Sequence, residues 1–235
     1  MKYMGSKNRI AKHILPIMLD ATNERGISTW VEPFVGGANM IDKVPSHFKR
    51  IGADINPYLI DALILIRDNP ELIPKNNKEY TEDMYNIAKR QTKMSSLDAL
   101  AMFQYSFGSK FKGGWAKNKR GTDYVKECLK NILIQSKKIK DVEFLSSSYI
   151  DLEIPSNSLI YCDPPYKGTT KYKDDFNHEI FWEWCRLMHE FGHVVFVSEY
   201  NAPKDFKSIW SQPILNTLNK ETNKKIEIEK LFTIK

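Results

Sequence analysis

Four consecutive residues, Asp163-Pro164-Pro165-Tyr166, combine the groups needed to bind a planar amino compound. They follow a short apolar run, Leu159–Cys162, which predicts a buried strand. The Asp163 carboxylate and the Pro164 carbonyl can each accept a hydrogen bond from an amino group, and proline fixes its own φ, so that the carbonyl is oriented in advance. The Tyr166 ring can stack on a heterocycle. Taken alone, the tetrapeptide also fits a simple turn.

The chemistry that these groups favour is activation of an aromatic amine. The amino nitrogen of such a compound is a poor nucleophile, because its lone pair is delocalised into the ring. Two acceptors placed on its two hydrogens draw that lone pair out of conjugation and toward an electrophile. The tetrapeptide therefore predicts a site where an aromatic amino group attacks an electrophilic centre.

A second set of residues predicts a nucleoside pocket. The pair Gly36-Gly37 lets a ligand approach the backbone closely, and a helix predicted to begin near Ala38 would present free N–H groups. Asp54 ends the next predicted strand, where an acid commonly binds the hydroxyls of a ribose. The segment 34–39 departs from the full dinucleotide fingerprint, which argues against NAD but not against a nucleoside without pyrophosphate. By itself this pattern is a weak signal.

Strands and helices alternate in a way that places both sets at one sheet edge. The pattern predicts an α/β fold with a parallel sheet, interrupted by a helical segment without strand signal. Predicted strands are 28–31, 50–54, 142–145, 159–162 and 194–198, with a hairpin over 214–233 that turns near 221–223. One predicted helix follows 55–57 and runs through about 67. The other predicted helices are 6–20, 82–93, 97–105, 124–138 and 178–191.

Positive charge is concentrated in one part of the chain. The 235 residues carry a formal net charge of +6, whereas residues 101–140 alone hold ten Lys or Arg against two acidic residues. Phe107, Phe111, Trp115 and Tyr124 lie among these charges. Such polarity predicts nucleic acid as a polyanionic partner, with a solvated helical face as the alternative.

Composition excludes several classes of protein. A hydrophobic content of 42% supports a core, and no apolar run is long enough to predict a membrane span. No apolar segment follows the first charges, so we expect no signal peptide. Cys128, Cys162 and Cys185 are widely spaced, which predicts reduced thiols of a cytosolic protein and no metal site.

In combination, these motifs resemble those of the DNA adenine-N6 methyltransferases of the Dam type, the D12 class or α-group. The family's order is kept, and the basic segment lies where this group carries its target-recognition domain. The residues 107–118 are most similar to phage and prophage members. Four segments carry the resemblance: Tyr3–Lys7, Glu32–Gly37, Asp54–Pro57 and Tyr161–Tyr166.

The resemblance implies a Rossmann-like, S-adenosylmethionine-dependent methyltransferase sheet with an inserted, mainly helical target-recognition domain. The catalytic domain would comprise residues 1–60 and 140–235, and the insertion residues 61–139. The cofactor would be S-adenosylmethionine, without a metal. The partner would be double-stranded DNA. The protein would act in the cytoplasm, encoded by a prokaryote or a phage, and would be a monomer or a dimer.

The resemblance also implies roles for individual residues. The segment 198–201 would lie beside the target base. The catalytic residues would be Asp163, Pro164, Pro165 and Tyr166. The cofactor would contact Tyr3, Lys7, Glu32, Pro33, Phe34, Gly36, Gly37, Asp54, Ile55, Tyr149 and Asp163. DNA would contact Lys110, Lys112, Trp115, Lys117, Asn118, Lys119 and Arg120.

The implied reaction is methyl transfer to N6 of an adenine flipped out of duplex DNA. Two alternatives remain within enzymes, since cytosine N4 in DNA and amino groups in RNA present the same chemistry to the tetrapeptide. A third alternative is a catalytically idle DNA-binding protein that keeps the fold for recognition. The residues do not give the recognition sequence, nor do they separate a solo methylase, a restriction partner and a phage anti-restriction enzyme.

Overall fold

The computed structural model describes residues 1–167, 176–215 and 226–234. These residues form one seven-stranded sheet with helices on both faces. The strands are β1 Thr29–Glu32, β2 Lys49–Asp54, β3 Val142–Ser146, β4 Ser158–Cys162, β5 Val194–Glu199, β6 Phe206–Leu215 and β7 Ile226–Ile234. The helices are α1 Ala11–Arg25, α2 Pro57–Asp68, α3 Glu82–Arg90, α4 Ser96–Gln104, α5 Tyr124–Lys138 and α6 His178–Glu190.

The strand order is β3-β2-β1-β4-β5-β7-β6. The first five strands in this order pair in parallel, whereas β7 runs antiparallel between β5 and β6. The order reverses between β1 and β4, and ligands of open α/β sheets bind outside the carboxyl ends of the strands at such a point. The fold class predicted from the sequence is thus confirmed, and it locates the crevice where Asp163 lies.

Alternate residues of the central strands supply two cores, one on each face of the sheet. Trp30 and Tyr161 face the first core, which also takes residues from α1, α2, α4 and α5. Val31, Ile160 and Val197 face the second core, which α6 covers. Strands buried on both faces read as continuous apolar runs, which is why their positions were predictable from the sequence.

The helical segment between β2 and β3 shares the first core with the sheet. Its buried side chains, among them Tyr80, Tyr85 and Leu100, belong to the same cluster as Trp30. Helix α2 passes through the boundary expected between residues 60 and 61. The helices α3, α4 and α5 were predicted within a few residues of their observed ends.

Two local predictions need correction or extension. No α-helix begins near Ala38; only a 3-10 turn forms, at Ile41–Lys43. Ala38 has φ 55°, a left-handed conformation that cannot start a right-handed helix. Helix α1 continues past Pro16 as far as Arg25, where Gly26 ends it with φ 62°.

The hairpin expected near the end of the chain is formed by β6 and β7, and β6 begins at Phe206, earlier than predicted. Its predicted turn at 221–223 lies outside the described residues. Over residues 1–167, 176–215 and 226–234, no helix combines the length and apolar character needed to cross a bilayer.

Candidate functional site

Acidic side chains stand at the carboxyl ends of four adjacent parallel strands. Glu32 ends β1, Asp54 ends β2, Asp163 follows β4, and Glu199 ends β5. Glu229, on β7, adds a fifth carboxyl group beside them and is buried. Because parallel strands end at one edge of a sheet, these groups form an acidic floor under the crevice, which suits a cationic ligand.

Lys7 is the cation that faces Asp163 within this floor. Its Nζ lies 2.8 Å from Asp163 Oδ1 and 3.6 Å from Glu229 Oε1. Burial alone would lower the pKa of Lys7, but the charges of Asp163 and Glu229 outweigh it and raise that pKa. The N-terminal motif and the tetrapeptide, which are distant in sequence, are therefore joined by an ion pair.

Burial and Lys7 act against each other on the two carboxyl groups. Burial raises the pKa of Asp163, and the neighbouring Lys7 ammonium lowers it. The pKa of Glu229 is likewise raised by burial and lowered by Lys7. Lys7 thus favours the ionised form of both groups, and an ionised Asp163 is an acceptor only, as an amino substrate requires.

The Tyr166 ring is fixed from three sides. Its hydroxyl donates a hydrogen bond to Glu229 Oε1. The Tyr200 ring meets it edge-on with centroids 4.7 Å apart, and the Lys7 ammonium lies 4.6 Å from its centroid. The structure therefore brings together the tetrapeptide, the N-terminal motif and the segment 198–201.

Glu199 organises the backbone on either side of the site. Its two carboxylate oxygens accept from the backbone N–H of Tyr200 at 2.7 Å and of Lys167 at 3.2 Å. Burial raises the pKa of Glu199 to about 7. This side chain ties the end of β5 to the residue that follows the tetrapeptide.

The glycine turn packs against the N-terminal motif. A Cβ on Gly37 would lie 2.5 Å from Tyr3 Cβ, and one on Gly36 would lie 2.9 Å from the Tyr3 ring. Gly36 N–H donates to Asp54 Oδ2 at 3.3 Å, and Asn56 N–H donates to Asp54 Oδ1 at 3.0 Å. Burial raises the pKa of Asp54, and these two N–H groups lower it. Each Asp54 oxygen keeps a further lone pair, with which it can accept from a hydroxyl.

Two buried glutamines, which the sequence analysis missed, hold the N-terminal segment. Gln104 bonds both backbone groups of Lys2, accepting at 3.0 Å and donating at 2.8 Å. Gln135 donates to the carbonyls of Gly37 and Ala38 at 3.0 and 3.1 Å. Helix α4 is thereby fastened to the N-terminal segment, and helix α5 to the turn that carries Gly37.

The remaining predicted cofactor residues divide into two environments. Glu32 is buried beneath the turn and accepts from the Trp30 indole at 2.9 Å, and burial raises its pKa well above the usual range. Pro33 is buried next to it. Phe34 instead packs on Tyr149, with ring centroids 5.2 Å apart.

An aromatic wall surrounds Phe34 and Tyr149 at the rim of the second core. The Trp184 ring meets Tyr149 edge-on at 5.2 Å, and the Phe176 ring meets Phe34 edge-on at 5.8 Å. Ile55 is 76% exposed on the side of the next strand. These residues can accept an apolar heterocycle next to Asp54.

The basic loop, residues 107–120, exposes only part of the predicted DNA contacts. Lys110, Lys119 and Arg120 are exposed. Lys117 is 73% exposed and pairs with Glu82 at 3.1 Å, and Lys112 donates to the Gln91 carbonyl at 3.2 Å.

Two predicted DNA contacts have structural roles within the loop. The Asn118 side chain donates to Thr122 and Tyr124 at 2.8 and 3.0 Å. It also accepts from the backbone N–H of Arg120 at 3.1 Å. Trp115 packs edge-on against Tyr85, with centroids 5.4 Å apart. The loop is therefore anchored by Trp115 and shaped by Asn118, while Lys110, Lys117, Lys119 and Arg120 are exposed.

The three cysteines, Cys128, Cys162 and Cys185, are buried free thiols. Among the described residues, no group of three or more His, Cys, Asp or Glu side chains has an arrangement that could hold a metal ion.

Comparisons with known proteins agree with this geometry. Residues 3–226 match the family model described as D12 class N6 adenine-specific DNA methyltransferase. The type II methyltransferase M.FokI of Planomicrobium okeanokoites is 27% identical over 210 residues, covering 80% of this chain and 31% of that protein. The type II methyltransferase M.MjaIII of Methanocaldococcus jannaschii is 25% identical over 221 residues, covering 76% of this chain and 75% of that protein.

A DNA adenine methylase of Vibrio cholerae serotype O1 is 30% identical over 189 residues, covering 71% of this chain and 64% of that protein. The chain thus spans about a third of the length of M.FokI (31%) and just under two thirds of the Vibrio protein (64%).

Proposed function

Because residues 3–226 match its family model, the chain belongs to the D12 class of N6 adenine-specific DNA methyltransferases, and we propose that it transfers a methyl group from S-adenosylmethionine to N6 of an adenine flipped out of duplex DNA. The observation that carries this proposal is the position of the tetrapeptide. Asp163 follows β4, which pairs with β1, and the glycine turn that follows β1 is bonded to Asp54 at the end of β2.

The residues present fit S-adenosylmethionine. When bound, this cofactor supplies a methyl group on a positively charged sulfonium, which is an excellent leaving group. The acidic floor complements that positive charge, and Lys7 pairs with two of its five carboxyl groups, those of Asp163 and Glu229. Asp54 can accept from ribose hydroxyls, and the aromatic wall with Ile55 can hold the adenine ring.

The chain's own residues would position the target rather than act by strong acid–base catalysis. Flipping the adenine costs a few kcal/mol. Asp163 and the Pro164 carbonyl accept the two N6 hydrogens, and the Tyr166 ring, held by Glu229 and Tyr200, stacks on the base. The N6 lone pair is then directed at the methyl group, and the proton that N6 loses on methylation would pass by way of Asp163 to solvent.

DNA would be bound by residues 61–139, which we propose as the target-recognition insertion. Lys110, Lys119 and Arg120 are exposed on the basic loop, and Lys117 is bound only by an exposed ion pair. Exposed pairs contribute little, so phosphate can replace Glu82 as the partner of Lys117. Such contacts release counterions and make affinity depend on salt. Action in a prokaryotic cytoplasm, where DNA is accessible, is part of the same proposal.

The deciding experiment identifies the methylated nucleoside. The protein is incubated with S-adenosylmethionine and unmethylated duplex DNA, the DNA is digested, and nucleosides are analysed by mass spectrometry. N6-methyladenine is the expected product. N4-methylcytosine would keep the site chemistry and overturn the choice of base, and no methylated nucleoside would remove DNA methylation as the function.

Asp163→Ala tests the role of the tetrapeptide. We expect methylation to be abolished while DNA binding, measured by fluorescence anisotropy, stays within about twofold, since the basic loop is distant in sequence and unchanged. Asp151→Ala, at an exposed position, is the matched control and should remain active. Full methylation by the Asp163 variant would refute the mechanism.

A further inference from the structure

In this structure Lys7 occupies the groups that the target amine needs. Its ammonium donates to Asp163 at 2.8 Å and lies over the Tyr166 ring, 4.6 Å from the centroid. If the proposed function holds, on which this inference rests, an N6 amino group must take the same carboxylate and the base must take the same ring. Lys7 and the target base therefore compete for one position.

The displaced ammonium cannot simply be left without a partner. The Lys7 side chain is only 11% exposed, and an unpaired buried charge is costly. Glu229 is the carboxylate available to it, with Oε1 3.6 Å from Lys7 Nζ and its side chain 4% exposed. A small rotation of the lysine side chain is enough to close this distance to that of a hydrogen bond.

Glu199 is the other carboxylate beside the site, but among the described residues Lys7 forms ion pairs with Asp163 and Glu229 and none with Glu199. Its two oxygens accept from the backbone N–H groups of Tyr200 and Lys167. Glu229 accepts from the Tyr166 hydroxyl, and a carboxylate has about four acceptor positions. Glu229 can therefore bind Lys7 while it continues to hold the Tyr166 ring.

We propose that Glu229 is a positioning residue that receives the Lys7 ammonium when the target amino group takes Asp163. The ammonium moves between two buried carboxylates, and its charge is balanced in both positions. Glu229 lies beyond residues 3–226, the segment that matches the family model, so the assignment comes from the sheet order, in which β7 lies next to β5.

Glu229→Gln tests this role, because glutamine keeps an acceptor for Tyr166 and removes the charge that Lys7 needs. Lys7 should then remain on Asp163, so that the KM for DNA rises about tenfold with a smaller change in kcat. The Kd for S-adenosylmethionine, measured by calorimetry, should change by less than about twofold. Glu143→Gln, the same change on a side chain that is 51% exposed on β3, should leave both constants unchanged.

A double variant separates this role from simple support of Tyr166. Lys7→Met together with Glu229→Gln removes the competing ammonium, so the KM for DNA at saturating cofactor should fall back toward the wild-type value. A Glu229→Gln variant with wild-type KM for DNA, or a double variant no better than the single one, would overturn the inference while leaving the proposed function intact.

The ion pair is also measurable without activity. A double-mutant cycle on the unfolding equilibrium of Lys7→Met and Glu229→Gln should show a coupling of about fivefold or more in the equilibrium constant. If the wild type methylates no nucleoside, the proposed function fails, and this cycle still decides the pairing. Additive effects of the two changes would contradict it.

Discussion

Glu199 makes the stability of this protein depend on pH with a defined sign. The Glu199 side chain is 2% exposed, and its pKa is raised from 4.5 to about 7 by burial. Between these values the folded state binds more protons than the unfolded state, so stability falls as pH rises. With about 1.4 kcal/mol per pKa unit, the contribution of Glu199 to this loss is on the order of 3 kcal/mol.

Glu199→Gln removes the titration and leaves a side chain of the same shape. Urea unfolding of wild type and variant at pH 4.5 and pH 8 gives the stability difference at each value. The amide must turn one N–H toward a backbone donor that Glu199 now accepts, which adds an offset that does not depend on pH. The wild type should lose on the order of 3 kcal/mol more than the variant between the two pH values.

The matched control is Glu143→Gln, whose side chain is 51% exposed on β3; it should follow the wild type at both pH values. A difference between wild type and the Glu199 variant that stays constant with pH, or that grows in favour of the wild type as pH rises, would refute the reasoning from burial.

Two further changes test the turn and the loop. Gly37→Ala places a Cβ 2.5 Å from Tyr3 Cβ, so we expect the affinity for S-adenosylmethionine, measured by calorimetry, to fall about tenfold. The control Gly114→Ala adds a Cβ with nothing within 4 Å and should bind the cofactor normally. An equal loss of affinity in both variants would contradict this expectation. The second change replaces three cations by glutamine: Lys117, Lys119 and Arg120. The slope of log affinity for DNA against log salt should drop by about 0.9 per lost phosphate contact, and an unchanged slope would show a solvated surface only.

Much of the fold was predictable because its central strands are buried on both faces. Residues 159–162 and 194–198 are apolar runs bounded by polar residues, and the observed β4 and β5 differ from them by one residue at an end. The acids Asp54 and Asp163 lie at the carboxyl ends of predicted strands, Asp54 as the last residue of β2 and Asp163 directly after β4. The contact of Lys7 with Asp163 was not predicted, because no local pattern joins the two and the resemblance implied only a cofactor contact for Lys7.

The burial of Glu229 was not predictable, because the sequence pattern of β7 favours an exposed position for it. Residues 226–229 alternate apolar and charged side chains, which favours a hairpin with its glutamates in solvent. The strand instead lies between β5 and β6, so that Glu229 is 3% exposed beside Tyr166. Sheet order is a long-range property that alternation cannot supply.

The other differences arise from local geometry and from packing. The expected helix at Ala38 does not form, because that residue takes a left-handed conformation within a turn. An alanine gives no sequence signal for such a conformation. Trp115 lay among charges and resembled a base-stacking residue, yet it packs on Tyr85 and Tyr105. Aromatic residues in a basic segment can pack in the core of that segment as readily as they can contact a ligand.

The ion pair between Lys7 and Glu229 joins nearly opposite ends of the described chain. Closing a loop of this length costs conformational entropy. The acidic floor is complete only when β7 is paired with β5. A change that weakens this pairing would therefore take Glu229 from the site and leave the carboxyl groups on the parallel strands in place.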